Sequence, residues 1–148
     1  MGLGTQYLPG PGNGAASYVA MARFDGNVLT RDPVRFAALK THLRAEPRFA
    51  LGGPSIAWAH AALAELHDLA ERPAPPVPAL TFLGSLEAVV DAQAVRARMA
   101  DWPGGQLEIV QGGRHEVLMD PQPQLAGHMA TMIAQMRNAA AARGPEGT

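Results

Sequence analysis

Two side chains in this sequence have the type and setting that catalysis asks for: Glu87 and His115. Each stands just past a short apolar run. Ala79-Leu80-Thr81-Phe82-Leu83 leads into Gly84-Ser85-Leu86-Glu87-Ala88-Val89-Val90-Asp91, and Leu107-Glu108-Ile109-Val110 leads into Gly112-Gly113-Arg114-His115-Glu116. The stretch between the two loops is helical in pattern. Strand, acidic loop, helix, strand, histidine loop makes a βαβ unit. Its right-handed crossover sets the strands parallel and adjacent, so both loops leave the same carboxyl edge of the sheet. Residues 28 positions apart in sequence are thereby expected to meet. A carboxylate orienting an imidazole is two-thirds of a nucleophilic triad. Taken singly, Glu87 reads as well as a solvated loop carboxylate and His115 as an exposed turn histidine. Their order and shared strand context favour the pair.

The elements around this pair follow from periodicity and from the residues that break it. Residues 1–26 are rich in glycine and proline, densest at Pro9-Gly10-Pro11-Gly12-Asn13-Gly14, and read as irregular loop. Neither G-x-G-x-x-G nor the Walker pattern is present and no strand precedes the cluster, so a phosphate cradle is not expected. A first helix begins at Pro33, with Thr30 or Asp32 as its cap and Phe36, Leu39 and Leu43 as its buried face; Pro47 ends it. Ser55 caps a second helix running to about Glu71, amphipathic through Ile56, Leu63, Leu66 and Leu69, with Trp58 read as core packing. Arg72-Pro73-Ala74-Pro75-Pro76-Val77-Pro78 is a stiff linker. Asp91 can cap a helix that runs to Trp102 and stops at Pro103-Gly104-Gly105. Pro121 and Pro123 precede a last helix from about Gln124 to Arg143. Its apolar stripe of Leu125, Met129, Met132, Ile133 and Met136 reads as core.

At these residues the chain resembles the α/β-hydrolase family. G-x-x-[DE]-x-V-V-D after one strand and G-x-x-H-E after the next are similar to its last two sheet strands, most closely in the lysophospholipase and monoacylglycerol-lipase branch, of serine-aminopeptidase type. Leu29-Thr30-Arg31-Asp32-Pro33 and Phe49-Ala50-Leu51-Gly52-Gly53-Pro54-Ser55, with Trp58 beyond it, resemble stretches of that branch's lid. The resemblance implies an α/β fold of partial hydrolase type: a helical lid region plus the last two parallel strands and their helices. Residues 1–72 would be lid, 73–78 linker, 79–143 the carboxyl-terminal part of the core and 144–148 a tail. It also implies a Ser-Glu/Asp-His triad in that chain order, with Glu87 as acid, Asp91 as the fallback acid and His115 as general base. The nucleophile's G-x-S-x-G should stand ahead of them, and it is absent. The serines before Glu87 are Ser17, Ser55 and Ser85, none in a strand–turn–helix elbow.

The expectation is therefore the carboxyl-terminal part of a serine ester hydrolase for lysophospholipid or monoacylglycerol-type esters. Its nucleophile half is missing, it is inactive alone, and it tends to self-associate or to pair with that half through an open sheet edge. The alternative is a non-catalytic remnant or a module that binds lipid or a partner.

Composition narrows the field further. The chain has 148 residues, 47% hydrophobic and 17% charged, with a net charge of -1. It has no basic run to hold phosphates, so nucleic acid is not an expected partner. With no cysteine there is no disulfide, thiolate metal site or cysteine nucleophile. No apolar stretch approaches the ~20 residues of a membrane span, and no leader pattern opens the chain. A cytoplasmic location is the default, with room for peripheral contact with lipid. No cofactor or metal is expected. His115-Glu116 opens like H-E-x-x-H, but position 119 is Met119. His60 and His67, seven apart on one helix, exceed the spacing of a zinc pair and read as partly exposed. Nothing singles out a carboxylate pair for glycoside hydrolysis.

Overall fold

A computed structural model describes residues 2–9, 14, 17–120 and 123–142, with the side chains of 123–125, 128 and 139–142 outside the description. Residues 10–13 of the glycine-proline cluster, Pro121, the Leu125 side chain, Arg143 and the tail 144–148 therefore lie outside the described residues. The chain divides into two compact units, Met1–Asn27 with Pro33–Pro73, and Val28–Asp32 with Ala74–Thr148.

The first unit is helical. It holds α1 (Tyr18–Met21), α2 (Pro33–Ala45) and α3 (Ile56–Glu71), with 3-10 turns at Leu3–Thr5 and Pro47–Phe49. Within residues 1–26 the described part thus holds two short helical turns, Leu3–Thr5 and Tyr18–Met21, where glycine and proline content suggests irregular loop. Pro33 opens α2, where its missing N–H costs nothing. Phe36 is buried edge-to-face against Phe24 with ring centroids 5.7 Å apart. The Lys40 Nζ sits 5.9 Å from the Phe36 centroid and donates to the Ala22 carbonyl at 2.7 Å. Leu39 and Leu43 are only half-buried. The Ser55 hydroxyl accepts from the Trp58 N–H at 3.2 Å and caps α3. Trp58 itself is 63% exposed, which corrects its reading as core. Leu63, Leu66 and Leu69 are exposed beside it. The reason is physical: α3 is pinned mainly at its amino end. There the Ile56 N–H donates to the Gln6 carbonyl at 2.8 Å and Tyr7 bridges Ser55. The helical period marks a face able to be covered without supplying a cover.

The second unit is mixed helix and strand. It runs β1 (Ala79–Gly84), α4 (Ala92–Ala100), β2 (Gly105–Val110), a 3-10 turn at Val117–Met119 and α5 (Pro123–Ala142). β1 and β2 are parallel, in register from Ala79 opposite Gly105 to Gly84 opposite Val110. They are the only two strands of the sheet among the described residues. Leu83, Met99, Val110 and Val117 are its buried apolar side chains. The Trp102 indole N–H donates to the Val77 carbonyl at 2.7 Å, which fixes the linker's end to the turn after α4. On α5, Met129, Ile133 and Met136 are exposed and Met132 is half-buried, so these members of the stripe do not form the core that its period suggests. Strands lie about 4.8 Å apart, and two of them offer too little face to cover a 20-residue helix. Among the described residues no helix is long and apolar enough to cross a membrane.

Candidate functional site

The carboxyl ends of β1 and β2 open into two loops that zip together. The Ser85 N–H donates to the Val110 carbonyl at 3.0 Å, and the Leu86 N–H to the Gly113 carbonyl at 2.9 Å. The Ser85 hydroxyl in turn accepts from the Gly112 N–H at 2.8 Å. The glycines permit this closeness. A Cβ on Gly84 would press on the carbonyl groups of Gly113 and Arg114, and Gly112 has a φ of 70°, the left-handed region that favours glycine. The acidic loop and the histidine loop are therefore one rigid edge.

On that edge the Glu87 Oε2 lies 2.9 Å from the His115 Nδ1. The other oxygen, Oε1, accepts from the N–H groups of Val89 at 2.6 Å and Val90 at 3.2 Å. The Glu87 side chain is only 4% exposed, against 31% for His115. Burial alone pushes the Glu87 carboxyl up. The hydrogen bonds from Val89, His115 and Val90, with the charge of the protonated ring, outweigh it and hold Glu87 below its ordinary range. An ionised carboxylate only accepts, so the neutral ring facing it carries its proton on Nδ1. That leaves the Nε2 lone pair as the basic position, on a side chain that is partly open to solvent. The arrangement can accept a proton at Nε2 and stabilise the resulting imidazolium through Glu87.

The structure brings Glu87 and His115 together and puts Asp91 elsewhere. The Asp91 Oδ1 accepts from the N–H groups of Gln93 at 2.8 Å and Ala94 at 3.2 Å, so this carboxylate caps α4 and is not on the histidine. The three serines are also accounted for. Ser85 ties the loops, Ser55 caps α3, and Ser17 stands buried ahead of α1 in the first unit. His60 and His67 are exposed on α3, and His67 pairs with Glu71 at 3.4 Å. Among the described residues no three His, Asp or Glu side chains gather as a metal would require.

Sequence reasoning missed a second layer behind the histidine loop. The Val28 and Leu29 carbonyls accept from the N–H groups of His115 at 3.3 Å and Glu116 at 2.8 Å. Asp120, buried to 2% exposure, takes the Thr30 hydroxyl and the Arg31 N–H on one oxygen, both at 2.7 Å, and the Arg114 N–H on the other at 3.3 Å. Burial pushes the Asp120 carboxyl up, but these hydrogen bonds, led by Thr30, and the Arg31 charge hold it below its ordinary range. Thr30, which with Asp32 is one of the two caps expected for α2, is fully buried and its hydroxyl donates to Asp120. The one signal was an acid directly after the apolar Val117-Leu118-Met119. Comparison of the chain with family models, with characterised proteins and with solved structures finds no match in any of the three.

Proposed function

We propose that this chain supplies the acid and the base of a serine ester hydrolase of lysophospholipase or monoacylglycerol-lipase type. Its nucleophile would be one that the 148 residues do not contain. A single observation carries the reading: the His115 Nδ1 rests on the buried Glu87 at the carboxyl edge of two parallel strands, in the order acid then histidine. In the working enzyme the His115 Nε2 takes the proton of the serine hydroxyl as that oxygen attacks the ester carbonyl. The proton then passes to the leaving alcohol, and a water activated at the same nitrogen releases the acyl group. Glu87 holds the tautomer and offsets the charge of the imidazolium. In this reading the first unit is the lid. Its cavity of about 660 Å³, lined by Leu8, Tyr18, Leu39, Leu43, Phe49 and Leu51 among others, has the apolar character an acyl chain needs.

The test joins this chain, by fusion or co-expression, to a segment carrying strand–G-x-S-x-G–helix. The expected result is ester hydrolysis and one fluorophosphonate adduct on the added serine, with His115→Ala lowering kcat by roughly 10⁴-fold or more. The chain alone is expected to take no adduct. A stoichiometric adduct on Ser17, Ser55 or Ser85, or full activity in the alanine variant, defeats the reading. The same cavity favours a second reading, a module that binds lipid without turning it over. Saturable binding of a lysophospholipid to the isolated chain, with no hydrolysis in the joined one, would select it.

A further inference from the structure

The buried Asp120 has no part in the proton transfers just described, yet it touches both segments that hold the general base. We infer that Asp120, together with Thr30, is the positioning device of His115: it ties the strap of residues 28–31 to the histidine loop, so that Nδ1 stays on Glu87. The inference rests on the hydrolase reading for its purpose, though not for its geometry. A carboxylate is required there because two acceptor oxygens serve opposite sides. One holds the Thr30 hydroxyl and the Arg31 N–H, and the other holds the Arg114 N–H next to His115 in the chain. The Thr30 hydroxyl is used twice, since it donates to Asp120 and accepts from the Asp32 N–H at 3.1 Å. The Arg114 guanidinium closes the same ring of contacts by donating to the Thr30 carbonyl at 3.1 Å. With His115 and Glu116 bonded to the carbonyls of Val28 and Leu29, the loop is held by backbone on one side and by a buried carboxylate on the other.

Asparagine is nearly the same shape but accepts on one atom only. In Asp120→Asn the amide oxygen stays with Thr30 and Arg31, and its NH₂ then faces the Arg114 N–H, donor against donor. The loop must shift there. The readout is the tautomer of His115, from long-range proton–nitrogen correlation of the five histidines with His115→Gln as the assignment control. At about pH 8.5 an ordinary imidazole is neutral. Native His115 is expected as the Nδ1–H form, and Asp120→Asn is expected to move it to the Nε2–H form that a free imidazole prefers. Thr30→Val removes the hydroxyl at nearly constant volume and should move the ratio the same way, while Thr30→Ser should restore it. This pair decides the matter if the asparagine variant does not fold. Variants that melt earlier but keep the native tautomer would make Asp120 a staple only, and the inference would fall. Tautomer shifts without hydrolysis in the joined enzyme would retire the hydrolase reading alone. Hydrolysis that depends on His115, with tautomers unmoved in Asp120→Asn and Thr30→Val, would retire the positioning role alone.

Discussion

Glu87 carries two loads, and they can be separated by pH. One oxygen binds the backbone of Val89 and Val90, and the other binds His115. Because its folded-state pKa is held below the unfolded value of about 4.3, its contribution to stability is complete above that pH and is lost as pH falls through the lower folded value. Asp120 acts with the same sign. Glu87→Gln keeps an acceptor for the backbone but has no charge to lose. We therefore expect the native chain to melt higher than Glu87→Gln at pH 7, with the gap shrinking as the pH falls below about 4.3 and the carboxylate is protonated. Thermal unfolding across that range measures it. A gap that does not change with pH through acid unfolding would mean that the Glu87 charge contributes nothing to the fold.

The strand–loop–helix elements stand or fall on how closely the two loops approach. Gly84 is the tightest point, since an added methyl group meets backbone carbonyls and not a side chain that can turn aside. Gly84→Ala should destabilise the chain by about 1–3 kcal/mol, as overpacking does. Urea midpoints read the effect, and an unchanged midpoint would show that the loops have slack. Glu87 and His115 were legible in the sequence because βαβ handedness places two loops from local pattern alone. Asp120 was not, because Thr30 and Arg31 lie 90 and 89 positions away and nothing in a turn acid announces them. The exposed Trp58, Met129 and Met136 mark the opposite limit. A 3.6-residue period reports a face that can be buried, while burial depends on the elements present to cover it. Strand ends and caps, such as Asp91 on α4 and Ser55 on α3, were readable because their hydrogen bonds close within three residues.

At the scale of the whole chain, the second unit is discontinuous: the path enters it at Val28, leaves at Asp32 and returns at Ala74. The proline-rich linker looks like a natural cut, yet cutting there discards the strap. A chain of residues 74–148 leaves Asp120 without Thr30 and Arg31, and leaves the His115 and Glu116 N–H groups without acceptors. Losing the partners of a buried carboxylate is among the costlier changes a fold can suffer. We expect that piece to lack a cooperative melt, and a peptide of residues 26–34 added in trans to restore one. A cooperative transition at the full chain's temperature, without peptide, would show the strap to be dispensable. The same 90-residue span sets a clock. At translation rates of 5–20 residues per second, Asp120 leaves the ribosome roughly 5–20 s after Thr30, and the segments between them are already free to fold. The strap waits through that interval, and the His115 loop gains its second anchor only once Asp120 has emerged.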